Sequence, residues 1–547
     1  MKKNSLIFIF VVVHLLTGCI SKENVELIVH NGKIYSLDVN ENIHEAVAIQ
    51  NGKIISLGKN NQILNKYQSN NKIDLKGNIV YPGFIDAHCH LLSYGLQKQQ
   101  VDLTSCHSFN EVIEKLKKFA NENDTKWIIG NGWDQNNWPT KKWPTNEQLN
   151  NTFPDHNVVL NRIDGHALMA NKRAILTSKI NPDTTVYGGH IEIINHELTG
   201  IFVDNAMDLI LNHVPIPSEE TNKKALITAQ NTCFSLGLTT VDIAGLTKGS
   251  VELIDRLHNS EELKIKTYIM LTDNEENFNH YVLNSNGPIK TKKMNVRSFK
   301  FFADGSLGSR GACLINPYLD NQRTHGQLLQ NIDTFNTKLN TLKLYGFQAC
   351  THAIGDSANR IITSSYANVL GGSNDLRWRI EHVQCITDKD IEILGKYNII
   401  PSVQPTHATS DFSWAIQRLG IKRLENCYRY NQLKNQNNLI ALGTDFPVEK
   451  INPIHTFYAA TFRKNYDDKP LGGFQPDESL SRVDALKGMT IWAAVANFEE
   501  NEKGSIEKSK AADLTILNTD LIMCEESEIL NTKVLYTIVD GEIVYEN

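Results

Sequence analysis

GFIDAHCH, residues 83–90, is an apolar run that ends in two histidines around one cysteine. Side chains two residues apart in a strand project to the same face, so His88 and His90 would leave this strand side by side. With 18 histidines in 547 residues, one H-x-H pair is weak evidence by itself. Its meaning depends on whether other segments bring further polar residues to the same place.

Seven more β-rich runs end, like the first, in polar or small residues. They are GLTTVDIAG (237–245), KIKTYIML (264–271), VRSFKFFADGS (296–306), GFQACTHAIGD (346–356), RWRIEHVQC (377–385), NIIPSVQPTHA (398–408) and LIALGTDFPV (439–448). Helix-compatible sequence separates most of them. Eight buried strands alternating with helices predict an α/β fold, a closed parallel (β/α)8 barrel of the TIM type, over residues 81–497. A doubly wound open sheet is the alternative, and the long gap after the first run predicts an insertion at about 91–236.

The two ends of the chain share another pattern. VHNGKIYSL (29–37), IQNGKIISL (49–57) and IVDGEIVYE (538–546) each place Asn-Gly or Asp-Gly between two β-rich segments, which predicts hairpins. AADLTILN (511–518) adds a strand. We therefore predict a small β-sandwich formed by both chain ends, residues 20–80 and 498–547.

The N-terminus has the pattern of an export signal. Lys2 and Lys3 precede an apolar run from Leu6 to Leu16, which is too short for a comfortable membrane span. LTGC (16–19) resembles a bacterial lipobox, which predicts a signal peptide over 1–18 and a lipid on Cys19. The prediction is a bacterial cell-envelope protein anchored by lipid, with a weak preference for the outer membrane because Ile20 is not an acidic retention signal. A plain signal peptide is the alternative.

Composition narrows the functional classes. The formal charge of −6 leaves no strong basic field, so nucleic acid is not an expected partner. Besides Cys19 the chain has eight cysteines, with wide spacing and no CxxC, so no pairing can be predicted. Cys89, Cys350 and Cys385 lie near histidines and are interpreted as small buried apolar residues.

Six polar residues lie where a barrel carries its chemistry, at the carboxyl ends of the strands. They are His88, His90, Lys300, His352, His382 and Asp445. Imidazole and carboxylate ligands suit Zn²⁺ and similar divalent ions, and metal-bound water becomes hydroxide near neutral pH. An aspartate beside it can move the proton to a leaving nitrogen.

Lys300 is unexpected in a cationic site. It fits if its nitrogen becomes a carbamate, an anion that could bridge two metals. The alternative is a structural ion pair with Asp304.

The whole motif set resembles the amidohydrolase superfamily, in the amidohydrolase family 3 group that includes N-substituted formamide deformylases. The residues that carry the resemblance are PGFIDAHCH (82–90), GWDQNNWP (132–139), RIDGHALMANKRA (162–174), KFFADGSLGSRGA (300–312), THAIGD (351–356), EH (381–382), GTDFPV (443–448) and AADLTIL (511–517). The resemblance implies a distorted (β/α)8 barrel with a β-sandwich. It also implies a centre of one or two metals held by the six residues above, with Asp445 as general acid and base.

The insertion carries candidate substrate-binding residues. Four of the seven tryptophans lie there, Trp127, Trp133, Trp138 and Trp143. They could cover the barrel mouth and bind an apolar substrate group, or form the core of a small subdomain. The resemblance implies that Asp164 and His166 face the pocket, where His166 would polarise the substrate carbonyl. Trp133, Asp134 and Arg310 complete the set, with a solvated surface arginine as the alternative for Arg310.

These observations predict a metal-dependent hydrolase that cleaves an amide-type C–N bond of a small molecule, N-acyl, N-formyl or cyclic, by attack of metal-bound hydroxide. Deamination or ester hydrolysis on the same centre is one alternative, because each reaction starts with hydroxide on an electrophilic carbon. A ligand-binding lipoprotein without catalysis is another. The membrane is an expected partner through the lipid, and a homodimer is kept as an option.

Overall fold

The structure is a computed structural model that describes residues 22–284 and 287–547. The predicted signal peptide, residues 1–18, and its lipidation site Cys19 lie outside the described residues. Within the described residues, no helix combines the length and the apolar character needed to cross a membrane.

Eight parallel strands pair in chain order in one sheet. They are β1 (Phe84–Cys89), β2 (Leu238–Leu246), β3 (Lys266–Thr272), β4 (Met294–Phe302), β5 (Gln348–Ala353), β6 (Arg379–His382), β7 (Ile400–Val403) and β8 (Ala441–Leu442). Each overlaps one of the eight predicted runs. After β8, the Asp445 N–H donates to the His88 carbonyl and the His90 N–H donates to the Phe446 carbonyl, both at 2.8 Å. These bonds join the last strand to the first, so the sheet is the nearly closed barrel that the sequence predicts.

Helices connect the barrel strands. They are Glu219–Ser235, Lys248–Asn259, Ile332–Tyr345, Asp356–Leu370, Asp388–Lys396, Pro405–Leu419, Ile421–Leu424, Tyr430–Asn437, Pro453–Phe462, Arg482–Gly488 and Ile491–Ala496. Local sequence sets their limits. Ile332–Tyr345 begins after Asn331, whose side chain accepts from the Thr334 N–H, and ends at Gly346 with φ 73°.

The chain ends form two further sheets, the first from strands of both ends and the second from N-terminal strands alone. The first contains, in order, Glu542–Glu546, Val534–Val539, Leu514–Leu517, Ile79–Pro82, Lys33–Tyr35 and Ile43–His44. The second contains Lys53–Gly58, Ala46–Gln50, Leu27–His30 and Lys72–Asp74. Their buried side chains share one apolar cluster, which includes Val29, Val47, Val80, Leu514 and Ile538.

One of the three predicted hairpins is wrong. Asn51-Gly52 and Asp540-Gly541 each join two antiparallel neighbours. By contrast, the strands on either side of Asn31-Gly32 belong to different sheets. The chain crosses there because Lys33–Tyr35 pairs with Ile79–Pro82 instead of turning back on Leu27–His30.

The segment after β1 forms an inserted subdomain with its own sheet. The strand order is Val101–Asp102, Trp127–Trp133, Asn157–Arg162, Ala167–Ala170, Glu197–Asp204 and Gly189–Ile194. Its helices are Phe109–Glu122, Glu147–Thr152, Lys172–Thr177 and Asp208–Leu211. Two apolar clusters pack against the sheet, one around Val112, Leu116 and Trp133 and the other around Phe202 and Ile210.

A disulfide joins Cys385, three residues after β6, to Cys427. The interpretation of Cys385 as a small buried apolar residue is therefore wrong. The sequence could not show this pairing because the two cysteines are 42 residues apart and are brought together only by the barrel.

Candidate metal centre

The barrel brings the six predicted metal-site residues to the carboxyl end of its strands. The His88 ring centroid lies 5.7 Å from that of His90 and 5.0 Å from that of His382. His352 and His382 are 4.5 Å apart by the same measure. The Asp445 Oδ1 atom lies 3.2 Å from His90 Nε2 and 3.6 Å from His88 Nε2. Lys300 Nζ is 3.0 Å from His88 Nε2.

The donor atoms suit a divalent cation. One ligand atom from each of His88, His382 and Asp445 lies within 4.8 Å of the other two, and all three residues are buried. The buried Asp445 Oδ1 has no hydrogen-bond partner among the described residues. A buried carboxylate oxygen without a donor is costly, and a cation among imidazole nitrogens would satisfy it.

Three of the histidines are oriented by partners behind them. His88 Nδ1 lies 2.5 Å from Glu381 Oε2, His90 Nδ1 3.0 Å from the Ala244 carbonyl, and His382 Nδ1 2.7 Å from Gln404 Oε1. Since each partner is an acceptor, Nδ1 must carry the proton in each ring. Nε2 is therefore left with its lone pair, the form that binds a metal.

Glu381 is itself held by a buried arginine. Arg379 Nε lies 2.7 Å from Glu381 Oε1, and its Nη1 lies 2.9 Å from Asp242 Oδ2. Burial would raise the pKa of Glu381, but Arg379 and His88 outweigh burial and hold that pKa well below its usual range. The residue behind His88 is thus a carboxylate at neutral pH.

Backbone conformation also directs the ligands. His382 and Asp445 have φ values of 73° and 61°, in the left-handed region that residues with a side chain seldom adopt. Near Asp445, Gly443 packs so closely on β1 that an added Cβ would lie 2.5 Å from the backbone nitrogen of His88. The glycine of GTDFPV is required for this approach.

Burial favours neutral nitrogens at four positions of the centre. It lowers the pKa of His88 to about 4, and it lowers the pKa of His352 and His382 well below the ordinary value. Burial also lowers the pKa of Lys300 to about 8. Neutral imidazoles are metal ligands, and a neutral amine is the form of lysine that can react with carbon dioxide.

The alternative of a Lys300–Asp304 ion pair is wrong. The Asp304 carboxylate accepts three backbone N–H groups, from Cys313, Ile354 and Gly355, at 2.7–3.0 Å. Across the described chain, no carboxylate oxygen lies within 4.0 Å of Lys300 Nζ. The lysine instead faces the histidines.

His407 also lies at the centre, although it is not among the candidates named from the sequence. Its ring stacks on His382 with centroids 5.7 Å apart and planes 20° apart, and its Nε2 lies 3.6 Å from Asp445 Oδ2. The residue lies within Pro405–Leu419, in the helix after β7. It is the second-to-last residue of the predicted run 398–408, but it lies in the first turn of the following helix and not at the strand end, where the sequence pattern directs attention.

His166 approaches the centre from the inserted subdomain. Its ring lies 4.9 Å from that of His352, and its Nδ1 lies 2.8 Å from Asp204 Oδ1. Burial disfavours the charged form, but the carboxylates of Asp204 and Asp164 outweigh it and raise the pKa of His166. The predicted His166 is therefore close to the centre, with Asp204 as a partner that the sequence did not indicate.

Asp134 and Asp164 are engaged in a buried ion-pair cluster. Arg162 lies between them, contacts both carboxylates, and donates from Nε to Gln135 Oε1 at 2.8 Å. The Ser306 hydroxyl donates to Asp164 at 2.5 Å. We call Arg162, Asp134, Asp164, Gln135 and Ser306 the Arg162 cluster; it joins the subdomain to the loop after β4.

The remaining candidates lie in the subdomain and at its edge. Trp133 is buried in the subdomain core and donates from its indole nitrogen to the Leu160 carbonyl at 2.9 Å. This is the position that the core interpretation of the tryptophans describes. Arg310 pairs with Asp320 at 2.9 Å and lines, with Trp143 and Lys141, a cavity of about 300 Å³.

The barrel with its histidine and aspartate cluster defines a metal-dependent hydrolase. Residues 72–545 match the Amidohydrolase family, in its Amidohydro_3 group, and the chain belongs to that family. It is 31% identical to Protein LONG AFTER FAR-RED 3 of Arabidopsis thaliana, over 95% of this chain and 91% of that protein. It is 24% identical to N-substituted formamide deformylase of Arthrobacter pascens, over 95% and 98% of the two chains. A crystal structure of an uncharacterized metal-dependent hydrolase from Pyrococcus furiosus is 27% identical, with a TM-score of 0.72, and covers 91% of this chain and 99% of its own.

Proposed function

We propose that this protein hydrolyses an amide-type C–N bond, N-acyl, N-formyl or cyclic, at the centre between His88, His382 and Asp445. The observation that carries the proposal is Asp445 Oδ1, a buried carboxylate oxygen without a hydrogen-bond partner among oriented imidazoles. The 24% identity to N-substituted formamide deformylase over nearly the whole chain supports the choice of bond.

The residues present would hold one or two divalent ions, most simply Zn²⁺. His88, His352 and His382 offer neutral nitrogens, and His90 and Asp445 add an imidazole and a carboxylate, which are the ligands that zinc prefers. A bound ion would supply Lewis acidity and lower the pKa of water toward neutrality.

Asp445 is the proposed general base and acid. Burial would raise the pKa of Asp445, but the contacts with His90 and His88 outweigh it and hold that pKa well below its usual range. The lowered pKa keeps Asp445 unprotonated, and its place beside the histidines is where it would accept a proton from the attacking water and deliver it to the leaving nitrogen. His166, beside His352, would donate a hydrogen bond from Nε2 to the substrate carbonyl oxygen when both ring nitrogens carry a proton, the charged form that Asp204 and Asp164 favour.

Lys300 is proposed as the site of a carbamate. Its amine is buried, with no carboxylate to pair it among the described residues, and its nitrogen lies 3.0 Å from His88 Nε2. Addition of carbon dioxide would form an N–C bond, release one proton and leave an anion where two cations could be bridged.

Phe302 is the proposed apolar wall of the substrate site. It follows Lys300 by two residues in β4, is 40% exposed, and lies 5.4 Å from the His352 ring and 6.3 Å from the His166 ring. An exposed aromatic ring beside catalytic groups suits an apolar acyl or N-alkyl substituent.

The first experiment measures metal per chain on protein lacking residues 1–19, beside turnover of N-formyl, N-acyl and cyclic amides. We expect about one to two equivalents of zinc or a similar ion. The double variant His88→Ala/His90→Ala should lose the metal, and Lys300→Ala should lose one of two equivalents if a carbamate bridges them. His258→Ala, a buried histidine outside the centre, is the matched control.

The result also separates the alternatives. Turnover of amino-heterocycles or esters, but not amides, would favour a deaminase or an esterase on the same centre. Folded protein that takes up no metal, and binds small molecules without turnover, would overturn the hydrolase and favour a binding lipoprotein.

We infer further that the two chain-end sheets form the β-sandwich expected from the sequence, with its halves near 20–80 and 498–547, beside a barrel over 81–497. We also propose lipid attachment at Cys19 and location in the bacterial cell envelope, with the membrane as a partner. Labelling with a fatty-acid analogue, lost in Cys19→Ser, tests the anchor; analytical ultracentrifugation tests the homodimer.

A further inference from the structure

The inserted subdomain delivers a second carboxylate–histidine pair to the edge of the metal centre. Asp204 ends the strand Glu197–Asp204, and His166 immediately precedes the strand Ala167–Ala170. These strands are antiparallel neighbours, and the Asp204 N–H donates to the His166 carbonyl at 3.0 Å. The two residues are thus joined through the backbone as well as through the 2.8 Å contact between Asp204 Oδ1 and His166 Nδ1.

The barrel encloses the Asp204 carboxylate. An added Cβ would lie 2.4 Å from Asp204 Oδ1 at Gly305 and 2.4 Å from Asp204 Oδ2 at Gly311. These glycines belong to the loop after β4, within the motif DGSLGSRG. The spacing of small residues in that motif therefore leaves room for a carboxylate from another part of the chain.

This enclosure is poorly suited to a purely structural role. The Asp204 side chain is fully buried, and His166 is its one ion-pair partner within the described residues. Its second oxygen, Oδ2, is buried there without a hydrogen bond. A buried charge with one partner costs free energy, whereas the nearby Arg162 shares its charge between two carboxylates.

We propose that Asp204 is a positioning residue that fixes the orientation of His166 at the reaction centre. Because Asp204 accepts from Nδ1–H, the other ring nitrogen, Nε2, is the one offered to a ligand. The His166 ring lies 4.9 Å from His352 and 6.3 Å from Phe302, so Nε2 belongs to the same space as the substrate. The inference rests on the proposed hydrolysis. It identifies Asp204 as the residue that holds His166, the group proposed to bind the substrate carbonyl.

The test compares Asp204→Ala, Asp204→Asn, His166→Ala and the double variant Asp204→Ala/His166→Ala. With the best amide of the panel, we expect each alanine variant to lower kcat about 10–100-fold, the usual effect of losing a partner behind a site histidine. KM and metal per chain should stay close to the wild type. The double variant should be no slower than His166→Ala, because Asp204 acts through that ring.

Asp204→Asn distinguishes a loss of positioning from a loss of folding, because the amide keeps the volume of the side chain and an acceptor oxygen. It should retain part of the activity that Asp204→Ala loses. Asp513→Asn is the control, because Asp513 is a buried carboxylate that pairs with Lys266 at the opposite end of the barrel strands. It should lower stability without a selective effect on kcat.

A second readout does not depend on turnover. In ¹⁵N-histidine NMR of the metal-free protein, the His166 signals are identified by their loss in His166→Gln. We expect a protonated Nδ1 in the wild type and loss of the Nδ1 proton in Asp204→Ala. Unchanged signals, multiplicative kcat losses in the double variant, or metal loss in Asp204→Ala would overturn the positioning role. If the wild type cleaves no amide, the proposed function fails while the NMR result still decides the inference.

Discussion

The metal centre and the Arg162 cluster are both buried and polar, but they differ in how their charges are satisfied. In the Arg162 cluster, one guanidinium contacts two carboxylates. In the metal centre, three imidazoles with lowered pKa values surround a carboxylate oxygen that has no donor among the described residues. The first arrangement is complete with protein atoms alone, and the second requires a cation. Whether the buried polar atoms find partners within the protein therefore separates a cluster that supports the fold from one that carries chemistry.

The largest expected effect is on the metal centre. His88→Ala/His90→Ala should remove bound metal and lower kcat/KM by about 1,000-fold or more, because metal Lewis acidity supplies several kcal/mol of transition-state stabilisation. The free energy of unfolding of the metal-free protein should change much less than the activation free energy of the reaction. Elemental analysis and kinetics check this result; full metal content in the double variant would contradict the assignment of these ligands.

Breaking the Arg162 cluster should lower the stability of the fold and leave metal binding unchanged. Arg162→Ala leaves two carboxylates, at 14% and 15% side-chain exposure, without their cation. We expect a loss of about 3–5 kcal/mol of unfolding free energy, with metal per folded chain unchanged. Urea denaturation measures the loss. Arg310→Ala is the matched control, because its 24% exposed pair with Asp320 should contribute about 1 kcal/mol or less.

A smaller effect tests how the centre is supported. Glu381→Gln keeps the size of the side chain but removes the negative charge behind His88 Nδ1. Zinc affinity should fall about 10–100-fold, the usual result of changing such a partner. Competition with a chelator measures the affinity. An affinity equal to that of the wild type would show that Glu381 serves Arg379 and not the metal ligand.

The smallest effect is expected on mild acidification of metal-free protein. Burial lowers the pKa of His88 to about 4, and that of an unfolded histidine is about 6.5. The unfolded chain therefore binds more protons as pH falls from 6.5 toward 4, and the stability that is present above pH 6.5 declines. Asp164 has a lowered pKa and keeps its charge in this range. Urea denaturation at pH 7 and pH 5 should show a loss of stability that His88→Ala reduces and Arg310→Ala does not.

Local pattern was sufficient for the barrel and for placing the candidate ligands at one end of it. All eight predicted runs overlap barrel strands, because buried parallel strands are continuous apolar segments. The spacing of His88 and His90 placed both at one strand end, and the order of the strands then brought His352, His382 and Asp445 to the same end. The predicted divalent metal is supported by this geometry, whereas the identity of the metal and the carbamate stay predictions.

What the sequence by itself determined was the class of fold and the chemical types at the carboxyl ends of its strands. Periodicity and residue type are local properties, and the strands of a parallel barrel share a direction. Only the tertiary structure decided which distant groups meet: Asp204 with His166, Cys385 with Cys427, and Asp304 with backbone N–H groups instead of Lys300. It also decided that the chain crosses between sheets at Asn31-Gly32. These pairings depend on packing between segments far apart in the chain, and no spacing along the chain encodes them.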